Sequence, residues 1–201
     1  MTANIGNSLK IALRNRMKNE VLKSMTVESR AQQSEAIKEK VLQSTDFRHA
    51  QRISVYLSTS TEVDTLELLK EMFRLDKHVY VPTYSGNNME MVRIKNMDDY
   101  DNLPLTKWNI KQPDFKEPRE NALTNGHGID LFLMPGVAFS LAGGRLGHGM
   151  GYYDKYLKRH FNTYPQKKVT LIALAFREQI VAEDELPLDA HDVKIHRIIT
   201  A

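Results

Sequence analysis

Three successive stretches decide the fold: Ile53-Ser-Val-Tyr-Leu57, Asp64-Thr-Leu-Glu-Leu-Leu-Lys-Glu-Met72 and His78-Val-Tyr-Val81. In the first, Ile53, Val55 and Leu57 recur at the period of a strand and run into the polar loop Ser58 to Thr61. In the second, Asp64 or Thr65 can cap a helix carrying Leu66, Leu68, Leu69 and Met72. The third reads as a strand that stops at Pro82. Strand, helix, strand in this order predicts two parallel strands joined by a right-handed crossover.

The pattern extends in both directions. Upstream, Thr26 can cap a helix reaching about Ser44, with Ile37 and Val41 facing inward. Downstream, Met89 to Ile94 is a further strand. From Asp98 to Gly128 the chain is polar, holds Pro104, Pro113 and Pro118, and reads as a long surface excursion carrying Trp108, the single tryptophan. Ile129 to Met134 is an apolar strand ending at Pro135 and Gly136. A glycine-rich segment and a helix from about Tyr152 to Phe161 follow it. Val169 to Phe176 is almost wholly apolar, as a strand buried on both faces must be, and Ile195 to Thr200 is a last strand. The expected architecture is one α/β domain over 1–201: an open, mostly parallel sheet, Rossmann-like and three-layered, with helices on both faces.

Composition narrows the function. The 201 residues are 41% hydrophobic and 26% charged, as in a soluble globular chain, and suffice to bury roughly 70% of the unfolded surface. No apolar run nears the ~20 residues of a membrane span. The lack of cysteine excludes disulfides, thiolate metal sites and cysteine nucleophiles. A net charge of +3 is a small excess for a nucleic-acid binder and suits anionic small molecules at least as well. Residues 1–19 contain no acid but carry Lys10, Arg14, Arg16 and Lys18, and Leu9, Leu13, Met17 and Val21 recur every four residues. This is an amphipathic helix with a basic flank, or alternatively a mitochondrial presequence. A cytoplasmic monomer is the default reading, since no exposed apolar stripe demands a partner.

Five of the ten glycines lie between positions 143 and 151: Gly143, Gly144, Gly147, Gly149 and Gly151. Set between a strand and a helix start, such a segment can offer backbone N–H groups and the helix dipole to phosphates, and Arg145 adds a planar donor. The plain alternative is a tight turn. It is not a Walker loop, because Tyr152 follows Gly151 where Lys-Ser/Thr is required, and the dinucleotide spacing and kinase signatures are absent.

Met134-Pro-Gly-Val-Ala-Phe139 and Gly144-Arg-Leu-Gly-His-Gly-Met-Gly-Tyr-Tyr-Asp-Lys155 closely resemble the hallmark segment of the 5-formyltetrahydrofolate cyclo-ligases, also called methenyltetrahydrofolate synthetases. Further matches follow in order: Lys10, Leu13 and Arg14; Tyr56-Leu57-Ser58 with Glu62, Asp64 and Thr65; Val81-Pro82; Trp108-Asn-Ile-x-Gln-Pro113, which looks like the animal branch; and His191-Asp192. The resemblance implies a ligase that converts 5-formyltetrahydrofolate, with or without a polyglutamate tail, to 5,10-methenyltetrahydrofolate. ATP would be the co-substrate and Mg²⁺ the cofactor, with no nucleic-acid or membrane partner. In the usual account the formyl oxygen attacks the γ-phosphate, nitrogen-10 then closes the ring, and phosphate leaves.

The same resemblance distributes roles. Lys10, Arg14, Gly144, Arg145, Leu146, Gly147, His148, Gly149, Met150, Gly151, Tyr152 and Tyr153 would hold ATP. Leu57, Glu62 and Trp108 would meet the folate, together with His148, Gly149, Met150, Gly151 and Tyr152. Arg145, Tyr153 and Asp154 would be catalytic, and Asp154 and Asp192 would bind the metal. From the residues alone, Lys10 and Arg14 could be a solvated helix flank, Asp154 an acid in a first helical turn, and Trp108 a core residue. The chain departs from the family at His148, Met150 and His196, where relatives carry other side chains; the remaining histidines read as structural or surface residues. A small-molecule kinase and a folate- or nucleic-acid-binding module without turnover are the rival readings.

Overall fold

A computed structural model describes residues 2–106, 110–189 and 192–201. The chain begins with α1 (Thr2–Arg16), a π-helical turn (Met17–Val21) and α2 (Leu22–Ser24), followed by α3 (Val27–Gln43), α4 (Thr45–His49) and β1 (Arg52–Ser54). Next come α5 (Leu66–Arg74), β2 (His78–Ser85), β3 (Asn88–Ile94), α6 (Met97–Asp101) and β4 (Leu131–Met134). A small hairpin, β5 (Ala138–Phe139) and β6 (Arg145–Leu146), precedes α7 (Tyr152–Thr163), β7 (Thr170–Ala175) and β8 (Arg197–Thr200).

Six strands form one sheet in the order β3-β2-β1-β4-β7-β8. All neighbours are parallel except β2 and β3, which pair antiparallel at one edge. Alternation along each strand builds two cores. Leu131 and Leu133 of β4, with Ile172 and Leu174 of β7, face Ile37 and Val41 of α3 and Leu68, Leu69 and Met72 of α5. Phe132 and Met134, with Leu171, Ala173 and Ala175, face Tyr153, Tyr156 and Leu157 of α7. Fully burying one such large apolar side chain stabilises the fold by roughly 1.5–3 kcal/mol, so both sheet faces must be covered. The expected open, mostly parallel three-layer sheet is the observed one.

Local chemistry sets the boundaries. The Thr26 side chain accepts the Ser29 N–H and opens α3, and the Ser44 side chain accepts the Phe47 N–H to open α4. Such caps contribute about 1 kcal/mol each. At α5 the Asp64 carboxylate accepts the Leu66 N–H, while the Thr65 hydroxyl donates instead to the Tyr56 carbonyl.

Three expectations change. First, β2 runs through Pro82 to Ser85, and Pro82 pairs opposite Met91 of β3. The parallel ladder to β1 ends at Val55 N–H to the Tyr80 carbonyl, one step before a proline N–H would be needed, so the missing donor shortens β1 and leaves β2 intact. Second, the Asp98 to Gly128 stretch is only partly an excursion. The Glu120 carbonyl accepts the Arg93 N–H and the Ala122 N–H donates to Met91, covering the edge of β3, while Ala122 and Leu123 are buried. Third, Leu9 is 55% exposed, although Leu13 and Met17 are buried against Val137, Ala138, Leu146 and Leu186. Four-residue steps drift around a 3.6-residue helix, so the inward row is Lys10, Leu13 and Met17.

Candidate functional site

The strand order reverses between β1 and β4, since the chain leaves β1 for β2 on one side and later enters β4 on the other. In open α/β sheets the ligand crevice lies beyond the C-terminal ends of the strands at such a reversal. The loops that follow β1 and β4 meet there. The first is braced by Tyr56 Oη donating to the Val63 carbonyl (3.0 Å) and by Thr65 bonded to Tyr56. Within it, Glu62 Oε2 accepts the Thr59 N–H at 2.9 Å, and Glu62 Oε1 lies 3.2 Å from His148 Nε2 on the second loop. Burial pushes the Glu62 carboxyl up, but the bonds from His148 and Thr59 outweigh it and hold the group below its ordinary value.

The glycine segment has two parts. Gly143 and Gly144 are buried, and a Cβ at Gly143 would stand 2.5 Å from the Ile195 carbonyl oxygen. The Gly144 N–H donates to Ser140 Oγ, its carbonyl accepts the Ser140 N–H, and the Leu146 side chain is packed in the core. These two predicted ATP residues therefore belong to the β5–β6 frame, their polar or side-chain groups already engaged. The exposed stretch is His148, Gly149, Met150 and Gly151, with Gly147 half-buried, and Gly149 adopts a φ of 115° that only glycine takes without strain. This stretch is open to solvent.

Charged side chains converge on the segment from three directions. Arg145 donates to Asp154 Oδ2 at 2.9 Å, and its guanidinium lies 5.5 Å from the centre of the Tyr153 ring. Asp154 Oδ1 accepts the Val193 N–H, which sets Asp154 beside the Asp192–Val193 segment. From α1, Arg14 Nε donates to the Gly147 carbonyl at 2.8 Å. Lys10 Nζ bonds Asp189 at 2.8 Å and Asp192 at 2.5 Å. Burial lowers the affinity of Lys10 for its proton, yet the two carboxylates more than compensate and its pKa is raised. Lys10 is thus an inward, paired cation rather than a solvated flank. Among the described residues no three His, Cys, Asp or Glu side chains cluster as a metal site; Asp154 reaches the Asp192–Val193 segment through the Val193 N–H, and Asp192 shares Lys10 with Asp189.

The tyrosines separate. The Tyr152 ring lies 4.9 Å from that of Tyr84 at a tilt of 51°, and its hydroxyl donates to the Gly86 carbonyl. Tyr153 is buried, and its hydroxyl finds no hydrogen-bond partner among the described residues; burial holds that hydroxyl far above its ordinary pKa. Leu57 is half-buried and, with Glu62, lines a cavity of about 460 Å³ beneath α3. Trp108 and His191 lie outside the described residues. His196 Nδ1 accepts the Leu171 N–H, a structural duty that suits a histidine where an acid was in question. Sequence reasoning missed Asp189, Thr59 and Tyr84. The strand rule could have found Tyr84, which lies next to the last residue of β2, whereas Asp189 and Thr59 carry no local signal.

These positions can now be set against known proteins. A model of the 5-formyltetrahydrofolate cyclo-ligase family matches residues 7–201. The chain belongs to that family. The mouse 5-formyltetrahydrofolate cyclo-ligase is 39% identical over 99% of this chain and 97% of its own length. A probable cyclo-ligase of Caenorhabditis elegans is 37% identical over 95% and 92%. Among solved structures, the 5,10-methenyltetrahydrofolate synthetase of Aquifex aeolicus superposes with a TM-score of 0.75 at 27% identity, covering 95% of this chain and 89% of that one. The chain thus shares its fold with the Aquifex aeolicus synthetase.

Proposed function

We propose that this chain converts 5-formyltetrahydrofolate to 5,10-methenyltetrahydrofolate, an activity of folate one-carbon metabolism, and that ATP and Mg²⁺ serve it. The observation that carries the reading is the meeting at one crevice of Glu62, the open glycine stretch, and Lys10 and Arg14 of α1. Donors for phosphates and a carboxylate fit for a pterin lie against each other there.

In this reading the N–H groups of Gly147 to Gly151, with Arg145, Lys10 and Arg14, bind the triphosphate, and Gly144 and Leu146 support the stretch from beneath. Glu62 accepts paired N–H bonds from the amino-pyrimidine edge of the folate. Leu57 packs against the folate, Tyr152 and Tyr153 bound the reacting centre, and Trp108 stacks on a ligand ring. The formyl oxygen is a poor leaving group, so it first takes the γ-phosphoryl group and ADP departs. Nitrogen-10 then attacks the formyl carbon, its proton is released, and phosphate leaves with the former formyl oxygen. Phosphoryl transfer depends mainly on positioning and charge neutralisation, which suits a crevice rich in donors and without a nucleophile.

Asp154 and Asp192 would hold Mg²⁺. Mg²⁺ commonly takes one or two protein acids and completes its shell with water and phosphate oxygens, so it needs no larger cluster of carboxylates. Bound there, the ion would neutralise phosphate charge. Arg145 and Lys10 pair with these acids and would share them with the cation. We further propose that the protein works as a cytoplasmic monomer; no described helix is long and apolar enough to cross a membrane.

The test mixes purified protein with 5-formyltetrahydrofolate, ATP and Mg²⁺ and follows near-ultraviolet absorbance of the conjugated methenyl product. Absorbance that grows only with both ATP and Mg²⁺ supports the reading. A flat trace from folded protein that still cleaves ATP and yields a phosphorylated product would replace the cyclo-ligase by a kinase.

A further inference from the structure

We propose that His148 and Glu62 form a latch that couples nucleotide binding to folate binding. The proposal rests on the assignment of Glu62 to the folate. The two side chains come from loops 86 residues apart and meet at 3.2 Å at the crevice. A carboxylate held ionised can only accept, so the imidazole nitrogen carries the proton of this contact. Glu62 Oε2 also accepts the Thr59 N–H, so a folate that takes both carboxylate oxygens must compete with His148 at Oε1.

The partners differ in freedom. The Glu62 side chain is 12% exposed and braced by its own loop, whereas the His148 side chain is 49% exposed. His148 sits on the open glycine stretch, between Gly147, whose carbonyl is held by Arg14, and Gly149 in its left-handed conformation. The histidine is the part that moves. Folate arriving first must displace it from Glu62, and its apparent affinity falls by the fraction of protein in which the latch is closed. Phosphates arriving first at the glycine stretch draw the imidazole toward themselves and free Oε1. Whichever ligand binds first opens the latch, and the second binds to a crevice already open. Linkage makes this coupling reciprocal. One partly exposed hydrogen bond limits its size to about two- to tenfold.

The measurement is the dissociation constant of 5-formyltetrahydrofolate with and without a non-hydrolysable ATP analogue and Mg²⁺, for the wild type, His148→Ala and His148→Gln. The wild type should bind folate about two- to tenfold more tightly when nucleotide is present. His148→Ala should bind it equally with and without nucleotide, at the affinity of the nucleotide-loaded wild type. His148→Gln, whose amide can still donate to Glu62, should restore the difference. A His148→Ala variant that binds folate more weakly, or that keeps the full nucleotide effect, would overturn the latch. Amide hydrogen exchange at Gly147 to Gly151 provides a folate-independent readout: it should quicken in His148→Ala and recover in His148→Gln. If the exchange behaves so while no variant binds folate, the latch stands and the folate assignment of Glu62 falls.

Discussion

The two ends of the central sheet use the same residue types in opposite ways. At the N-terminal end of the strands, Asp130 Oδ2 accepts the backbone N–H groups of Gln51 and Arg52, and its other oxygen pairs with Lys167 at 2.6 Å. Close by, the buried His160 accepts the Ile129 N–H through Nε2. At the C-terminal end, Glu62, Asp154 and Asp192 each accept a backbone N–H and also meet a charged or polar side chain brought from elsewhere in the chain: His148, Arg145 and Lys10. A backbone donor is fixed by the fold, whereas a side-chain donor can turn toward a ligand. The first end fastens the sheet; the second holds its charges in exchangeable pairs.

Substitutions can break this contrast, and the largest effect belongs to the C-terminal end. Arg145→Ala or Asp154→Ala should lower turnover by about a hundred- to a thousandfold, the loss typical when one positioned charge is removed from an active centre. Circular dichroism should show the sheet retained. A variant that stays fully active would place the phosphate site elsewhere.

Next in size is Met17→Ala. Met17 is 1% exposed beneath α1, so truncation should cost about 2–5 kcal/mol by chemical denaturation. It should also raise the KM for ATP, because α1 carries Lys10 and Arg14. A stability loss without any change in KM would separate the seating of α1 from the site.

At the fastening end the effects should appear in stability alone. Burial lowers the pKa of His160 to about 4, so the folded protein prefers the neutral ring. The stabilisation is fully present above the unfolded value near 6.5 and is lost as the pH falls toward 4. Between pH 7 and pH 5 this amounts to about 2 kcal/mol, and His160→Gln should flatten that part of the profile. Asp130 follows at lower pH. Burial pushes it up, but Lys167 and the two backbone N–H groups hold it below its ordinary value. Its contribution is complete above the unfolded value near 3.9 and fades as the pH drops below that. Asp130→Ala should cost about 1–3 kcal/mol and leave turnover per folded molecule unchanged. The smallest effect is Arg16→Ala: Arg16 and Glu185 are each 47% exposed, so the loss should stay below about 1 kcal/mol.

How much of this was legible follows from which forces are local. Thr26, Ile37 and Val41 announce α3 because a cap and a helical period are written within a few residues. Thr170–Ala175 shows as a central strand because both its faces are apolar. Pro82 misled because its effect falls on the ladder to β1 and spares β2. The burial of Ala122 and Leu123 depends on β3 lying beside them, which composition does not record. In the site, the family motifs marked the glycine segment, Glu62 and Lys10. The divided use of that segment, with Gly144 and Leu146 as frame and Gly147 to Gly151 as surface, is a product of the hairpin. The contact of His148 with Glu62 joins two loops that only the strand reversal brings together.

The seating of α1 also bears on how the protein is made. Lys10 pairs with residues 179 and 182 positions further along, so α1 finds these partners only after all the intervening residues have been made. Until Val137 and Leu146 are made, an interval of roughly 5–30 s at usual translation rates, Leu13 and Met17 have no hairpin to cover them. During that time α1 presents apolar and cationic side chains together, a feature for which chaperones would compete.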